Sequence, residues 1–498
     1  MIARNLYIAG MVVIPMSAVT GINGLGEMQH ELSTYFFIPA IWFALIAALP
    51  GVDFVGGSHR FSLPTAYLLP KILFGFFAII AASFLFNSYT ISTDYFRGRY
   101  GLTKFIFSLV VLVYGFSLAY ATYFLARERW QNLILVPIAV SVLFCAVYSI
   151  FEVLAWYGIM KGVYEQLYQL THGGFSSLFV AWNGTLKRNI DWETRLRSLA
   201  FEPPAFGNYA GFAWPWILAG IGISRGLAKA FYVVCFVLLN ILLVLADART
   251  GYVMLVVNVM VWIGLLFIYL PKNPAPNYQR ISHTVNFLVW CGAASVFALI
   301  VASYDTMIYN VIADDNISNI SRLASQTSAF NMFMANPLIG VGFGQFGFHT
   351  SQYLPYWGYY SWELQPWLIF PEAPWPAVYS IYARLAAETG LIGTIAWVGL
   401  WVVLAKRITV ASRACQRLTG ILPPASYPLI MSCFCNLSTG VASDSFRTPM
   451  IWIVMGLCCR YLEETRQLLA RTATPAQNLA VSGAQRPSGS ISCPQSVV

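Results

Sequence analysis

Long apolar runs, separated by short polar turns, dominate the pattern along the 498-residue chain. Runs such as 105–125 and 284–303 have the length of about 20 residues that an α-helix needs to cross a bilayer. Hydropathy and helix breakers predict about twelve such spans. They lie near 5–21, 34–52, 70–90, 103–125, 130–153, 206–224, 228–247, 250–270, 284–304, 387–405, 425–442 and 448–462. The pattern therefore predicts an all-α, polytopic integral membrane protein.

Composition agrees with this class and excludes others. Charged residues make up 10% of the chain and hydrophobic residues 58%, whereas a soluble protein carries about 25% charged residues. The net charge is +9, but no dense basic run or nucleic-acid-binding motif is present, so we expect no nucleic-acid partner. Most cysteines lie inside apolar runs and no Cys-x-x-Cys occurs. We therefore expect neither a metal site nor a cofactor.

Two long stretches interrupt the predicted spans, at about 154–205 and 305–386. With a cytoplasmic N-terminus, more than half of the 29 basic residues lie on the cytoplasmic side, as the positive-inside rule requires. Both long stretches then lie outside and both termini inside. We treat 1–462 as one polytopic membrane domain. Residues 463–498, rich in Ser, Pro, Gln and Ala, are predicted to form a disordered cytoplasmic tail.

Several arginines remain on the outer side, beside the ends of predicted spans. An arginine at depth in a membrane costs about 2.5–3.5 kcal/mol on insertion scales, so it usually has a partner. A single one could form an internal ion pair or reach the lipid headgroups. Six on one side favour an anionic ligand, because guanidinium groups match phosphate oxygens. They are Arg195, Arg197, Arg249, Arg322, Arg384 and Arg447.

A glycine-rich segment, NPLIGVGFGQFGFH, spans residues 336–349. It contains G-x-G-x-x-G but lacks the strand and βαβ context that dinucleotide binding requires. Asn336-Pro337 is predicted to end an amphipathic helix. Gly340, Gly342 and Gly344 allow tight bends and close approach of other groups. Their backbone N–H groups could line an anion-binding concavity, or the glycines could form a compact turn against the helices.

With these segments the chain resembles the O-antigen ligase and polymerase superfamily of bacterial inner-membrane proteins. The family motif N-P-L-x-G-x-G-x-G-x-F is matched from Asn336 to Phe346, and a later A-E-x-G-x-x-G from Ala387 to Gly393. Arg322 stands where the family has an arginine opening the preceding helix. ADARTG, with Arg249, and FEPP, with Glu202-Pro203, resemble two further family segments. The resemblance covers about residues 195–460.

The resemblance implies glycosyl transfer at the periplasmic face of the bacterial inner membrane. The donor would be a polyprenyl-diphosphate-linked oligosaccharide, and the acceptor a glycan or lipid A–core. Surrounding lipids and a chain-length regulator protein would be further partners. Arg249 and Arg322 are the first candidates for diphosphate binding, followed by Arg197 and Arg384.

An acceptor hydroxyl must lose its proton to a general base. The candidates are Glu202, His349 and Glu388. Two of them also have a simpler interpretation: Glu388 could complement a helix dipole at the start of a span, and His349 could be an ordinary loop residue. Arg384 lies four residues before Glu388 and could pair with it.

One departure from the family bears on the choice of reaction. Tyr379-Ser380 stands where family ligases carry His-Asn. This loss, together with Glu202-Pro203, favours a polymerase of O-antigen or exopolysaccharide over a ligase, which remains the close alternative. A multi-pass transporter is the alternative from another class, but transporters often show two related halves and none is visible here.

Overall fold

The computed structural model describes residues 1–22, 28–47, 68–126, 130–183, 195–269, 317–361, 363–369, 375–420, 422–443 and 445–482. Long helices dominate, as predicted for an all-α membrane protein. The first part of the chain forms α1 (Ile2–Val12), α2 (Leu32–Ala47), α3 (Leu68–Phe86) and α4 (Ser88–Thr93). A two-stranded antiparallel hairpin, β1 (Tyr95–Phe96) and β2 (Arg99–Tyr100), leads into α5 (Gly101–Leu125).

The remaining helices continue the same pattern. They are α6 (Trp130–Trp156), α7 (Lys161–Asn183), α8 (Pro203–Ile223), α9 (Gly226–Ala246), α10 (Arg249–Tyr269), α11 (Ile317–Ala335), α12 (Phe346–Tyr353), a 3-10 turn (Tyr356–Tyr360), α13 (Gln365–Ile369), α14 (Ile381–Thr419), α15 (Ser426–Ala442) and α16 (Pro449–Ser482). Among the described residues, six helices are long and apolar enough to cross a membrane: α3, α5, α6, α9, α10 and α14.

Most predicted spans coincide with helices, and the count of twelve stays a prediction. The span at 284–304 lies outside the described residues. The span at 5–21 is helical only as far as Val12. The tail predicted to be disordered from residue 463 is instead part of α16 as far as Ser482, because the apolar helix continues into residues with good helix propensity such as Glu, Gln, Leu and Ala.

The two long stretches also contain regular structure. Residues 154–205 include α7, and 305–386 include α11, α12, the 3-10 turn, α13 and the first residues of α14. The amphipathic helix expected before Asn336-Pro337 is α11, which ends at Ala335.

An aromatic core joins the later helices to the earlier ones. The Trp397 ring centroid lies 5.3 Å from that of Phe446 and 6.3 Å from that of Trp452. Trp452 in turn lies 4.9 Å from Phe116 on α5. A Cβ at Gly115 would overlap the Trp452 ring, so glycine is what lets α16 pack this closely on α5.

Segments predicted to lie on the outer side contact one another. Arg447 Nε lies 3.5 Å from Glu31 Oε1, and His349 Nε2 lies 3.2 Å from Asp94 Oδ2. The Leu196 N–H donates to the Leu245 carbonyl at 2.9 Å. These pairs join distant parts of the sequence at one end of the helices, and the sidedness of that end stays a prediction.

Candidate active site

Three arginines from separate segments form a cluster, named here the arginine cluster: Arg195, Arg249 and Arg322. Arg249 opens α10 and is close enough to Arg195, Arg322 and Asp247 to interact electrostatically with each of them. Asp247 is the one carboxylate among these four interacting groups, so together they carry an excess of positive charge. An anion is the ligand that would relieve it.

Neutral groups hold the arginines in position. Arg249 Nη1 donates to Asn319 Oδ1 at 2.7 Å, and Arg195 Nη2 donates to the Asp247 carbonyl at 2.7 Å. The Arg322 guanidinium carbon lies 5.5 Å from the centroid of the Tyr379 ring. Amide, carbonyl and ring contacts orient guanidinium groups without cancelling their charge, which suits a site prepared for phosphate.

The first turns of α8 and α10 lie side by side next to this cluster. Thr250 Oγ1 donates to the Pro204 carbonyl at 3.2 Å, and a Cβ at Gly207 would lie 2.7 Å from the Gly251 nitrogen. Two glycines therefore allow the helices to touch. Because both helices begin here, the positive ends of their dipoles face the same region.

Glu202 precedes the first residue of α8. Its backbone is extended, with φ −153° and ψ 160°, as the prolines after it predict. Its carbonyl accepts from the Phe206 N–H at 3.2 Å, and its side chain makes no capping hydrogen bond. Of the three predicted bases, Glu202 is the one whose helix begins beside that of Arg249.

Arg197 lies beside a buried carboxylate, that of Glu152. Its backbone N–H and that of Ser198 donate to Glu152 Oε1 and Oε2, each at 2.9 Å. The Arg197 side chain is buried and interacts electrostatically with the Glu152 carboxylate. A buried carboxylate needs such compensation. Arg197 therefore lies with Glu152 and not with the residues that interact with Arg249.

Glu152 and His172 together fix the turn that carries Arg195 and Glu202. Ser198 has φ 52°, and His172 Nε2 lies 2.9 Å from the Ala200 carbonyl. A carbonyl can only accept, so Nε2 carries the proton. Burial lowers the pKa of His172 to about 4, which keeps the ring neutral at pH 7.

The glycine-rich segment packs directly on a kink in α14. Gly390 has φ 65° and ψ −159° and interrupts the helix there. Val341 N–H donates to the Ala387 carbonyl at 2.8 Å, Gly342 N–H to the Glu388 carbonyl at 3.1 Å and Leu391 N–H to the Pro337 carbonyl at 2.8 Å. The loop and the kink thus satisfy each other's backbone groups.

Glycine is required at this contact for both space and conformation. Gly340 has φ 73°, and a Cβ there would overlap the backbone of Glu388, while one on Gly390 would overlap that of Leu338. The N–H groups of Gly340, Val341 and Gly342 all donate to protein carbonyls. The compact-turn interpretation therefore fits these three groups, and the anion-binding concavity does not.

Glu388 is enclosed between the kink and α12. Its Oε2 accepts from Arg384 Nε at 3.2 Å, and its Oε1 lies 3.4 Å from the Phe346 nitrogen at the start of α12. The predicted pairing with Arg384 is present. Complementing the dipole of its own span stays a prediction, because α14 begins at Ile381 but is interrupted at Gly390. The carboxylate faces the N-terminus of α12, where a negative charge is favourable.

Tyr379 and Ser380, which replace the His-Asn of family ligases, occupy defined roles. Ser380 caps α14: its hydroxyl accepts from the Ala383 N–H and donates to the Gly440 carbonyl at 3.0 Å. Tyr379 adopts φ 61°, a left-handed conformation that is unfavourable for a bulky residue. Its ring lies against Arg322, so the position of the missing histidine borders the arginine cluster.

His349 lies in α12 and faces a carboxylate from another segment. Its Nε2 is 3.2 Å from Asp94 Oδ2, at the end of α4. Burial lowers the pKa of His349, while Asp94 and Gln352 act in the opposite direction. Of the predicted bases, His349 and Glu388 thus have partners outside the arginine cluster.

Sequence reasoning identified Arg249 and Arg322 but missed several residues that build the site. It noted Arg195 as an outer cation without giving it a role, and it did not single out Glu152, Asn319 or Asp94. The sequence offered one signal for Glu152, namely a glutamate inside an apolar run. Among the described residues no group of three or more His, Cys, Asp or Glu side chains could hold a metal ion.

Residues 234–398 match the family model described as O-Antigen ligase. The match includes Arg249, Arg322, the glycine-rich segment, Arg384 and Glu388, and it gives no support to the transporter alternative. No curated protein matches the chain. This match, in its polytopic helical setting, supports the O-antigen ligase and polymerase superfamily, whose members are glycosyl-transferring membrane enzymes.

Proposed function

We propose that this enzyme is a polymerase of cell-surface polysaccharide in the bacterial inner membrane. It would transfer a growing glycan from its polyprenyl diphosphate to an incoming lipid-linked repeat unit at the periplasmic face. The observation that carries the proposal is the arginine cluster, which joins cations from three segments at the predicted outer end.

The proposed reaction is a displacement at the anomeric carbon. The acceptor hydroxyl oxygen bonds to that carbon, and the bond to the diphosphate oxygen breaks with its electron pair leaving on the diphosphate. Negative charge grows on the phosphate oxygens during this step. Arginines fixed beforehand by Asn319, the Asp247 carbonyl and Tyr379 stabilise that charge without reorganising.

Glu202 is our choice of general base for the acceptor proton. It lies at the start of α8, which contacts the first turn of α10. Glu388 is buried, and both of its carboxylate oxygens face protein donors. His349 faces Asp94. Arg384, through Glu388, would act in positioning and not in binding diphosphate, and so would Arg197, through Glu152.

The O-antigen ligase reaction is the second candidate, supported by the description of the matching family. It would use the same diphosphate site and differ in the acceptor, lipid A–core. The loss of the ligase His-Asn at Tyr379-Ser380 favours the polymerase.

Surface glycolipid from a deletion strain separates the two reactions. If lipid A–core in the deletion strain carries a single repeat unit, and the wild-type gene restores the ladder of longer glycolipids, the result supports the polymerase. Bare lipid A–core with accumulated lipid-linked polymer would show the ligase instead. Arg322→Gln should fail to restore the ladder, whereas Lys161→Gln, which removes an exposed cation from another outer segment, should restore it fully. An unchanged ladder in the deletion strain would contradict both O-antigen assignments.

A further inference from the structure

A second group of cations lies at the outer end, around the β1–β2 hairpin and Trp375. Arg99 Cζ and Lys104 Nζ lie 5.2 Å and 5.3 Å from the centroid of the Trp375 ring. Phe348 on α12 packs against the same ring with centroids 5.0 Å apart. The hairpin precedes the region that matches the family model, so no family assignment covers it. We call the hairpin with Lys104 and Trp375 the hairpin site.

The tip of the hairpin holds a cation in an unfavourable conformation. Phe96 pairs with Arg99, which leaves Arg97 and Gly98 as a two-residue turn with φ 51° and 74°. Positive φ at both positions is typical of a type I′ turn, in which Asn-Gly is preferred. An arginine in the left-handed region costs about 1–2 kcal/mol. A residue in such an unfavourable conformation is most readily retained where its side chain has a function.

Charge at the hairpin site is predominantly positive. Arg97, Arg99 and Lys104 supply three cations, and Asp94 supplies one carboxylate, whose Oδ2 faces His349 at 3.2 Å. Burial lowers the pKa of His349, so its ring adds no charge at pH 7. Arg99 and Lys104 over the Trp375 ring, with Arg97 over the neighbouring Phe96 ring, favour a phosphate-containing ligand.

The hairpin site is connected to the helix that carries Arg322. Ser328 Oγ on α11 donates to the carbonyl of Thr350, the residue after His349, at 3.2 Å. Arg322 lies six residues before Ser328, about 9 Å along the helix axis. The two cation groups are thus separate and are connected through α12, which contacts α11 at Thr350 and Trp375 at Phe348. Tyr95 and Tyr100, both exposed with ring centroids 4.9 Å apart, add a surface suited to the membrane interface.

We propose that the hairpin site binds the diphosphate of the acceptor, the incoming polyprenyl-diphosphate-linked repeat unit, while the arginine cluster binds that of the donor. The inference rests on the proposed polymerase function, because in that reaction both substrates carry a lipid diphosphate. Two anion sites are then needed at once, and the outer end has two groups of cations.

Farnesyl diphosphate binding to the full-length protein in phosphatidylcholine nanodiscs tests the proposal. Two sites per chain are expected for the wild type. Arg97→Asn removes the cation and gives the turn a residue it prefers, so the hairpin should be kept. Combined with Arg99→Gln, it should weaken one site at least about tenfold, the effect of about 1.4 kcal/mol. Lys161→Gln is the matched control and should leave both sites unchanged.

The outcomes separate this proposal from the proposed function. Two unchanged sites in the Arg97→Asn, Arg99→Gln variant would overturn the hairpin site alone. Two unchanged sites in an Arg249→Gln, Arg322→Gln variant would overturn the donor site, whatever the hairpin does. If phosphatidylglycerol in the nanodisc displaces farnesyl diphosphate from the hairpin site, the hairpin binds ordinary lipid headgroups and the acceptor assignment is wrong.

Discussion

The glycine-rich loop and the arginine cluster contribute to the same end of the molecule in opposite ways. The loop is a continuous sequence motif, yet its N–H groups at residues 340–342 bond to protein carbonyls and its glycines fit against the α14 kink. The arginines are far apart in sequence, and among the described residues Arg249 interacts with Arg195, Arg322 and one carboxylate, that of Asp247. The more recognisable motif thus has a structural role. We call the contact between residues 340–342 and the α14 kink the loop–kink contact. The chemistry resides in dispersed residues that this contact holds in place.

Disrupting the loop–kink contact should have the largest effect on stability. Gly340→Ala places a Cβ against the Glu388 backbone at a residue with φ 73°, so we expect at least about 3 kcal/mol of destabilisation. The measurement is the yield and thermal unfolding of the purified protein in detergent. Gly399→Ala, where a Cβ would meet nothing within 4 Å, is the control and should unfold like the wild type. Equal stability of the two variants would show that the loop–kink contact tolerates a side chain at residue 340.

Loosening the turn that carries Arg195 should have an intermediate effect. Glu152→Ala leaves the Arg197 and Ser198 N–H groups without their acceptors, at about 1–3 kcal/mol for a buried group. We expect the protein to fold with lower stability and polymerisation to fall about tenfold or more, chiefly in kcat/KM. Glu152→Gln keeps one acceptor oxygen, so it should recover part of the stability and part of the polymerisation activity. Full activity in Glu152→Ala would mean that Arg195 and Glu202 need no fixed turn.

Neutralising Glu388 should have the smallest effect. If this carboxylate only links Arg384 to the start of α12, Glu388→Gln should lower stability by about 1 kcal/mol and change activity less than about fivefold. Loss of a general base would instead cost about 10²–10⁴-fold. The comparison variant is Glu202→Gln, for which we expect the larger loss. Reversal of that order would exchange the roles of the two glutamates.

Sequence alone was enough for the helices and for part of the site. Apolar runs predicted α3, α5, α6, α9 and α10 within a few residues, because length and hydropathy determine what can cross a bilayer. Arg249 and Arg322 stood out because charge beside such runs is costly. The helical extension to Ser482 and the short α1 were missed, since hydropathy does not report where a helix ends.

The arrangement around the arginines was beyond sequence reasoning. Arg195 and Arg197 are two residues apart, yet one interacts with Arg249 and the other lies against Glu152. Their separation follows from a turn with φ 52° at Ser198, which no simple pattern encodes. Asp94 and His349 meet for a similar reason, through the packing of α12 against the end of α4.

The central claim is that charge at the arginine cluster drives cleavage from the lipid diphosphate. The most direct measurement is kcat/KM of the purified enzyme for a lipid-diphosphate-linked repeat unit, compared for wild type, Arg322→Gln and Lys161→Gln. We predict that Arg322→Gln lowers kcat/KM about 10²–10³-fold, as for removal of one transition-state donor, while its thermal unfolding is unchanged. Lys161→Gln should keep full activity. A folded Arg322→Gln enzyme with wild-type kcat/KM would contradict the account.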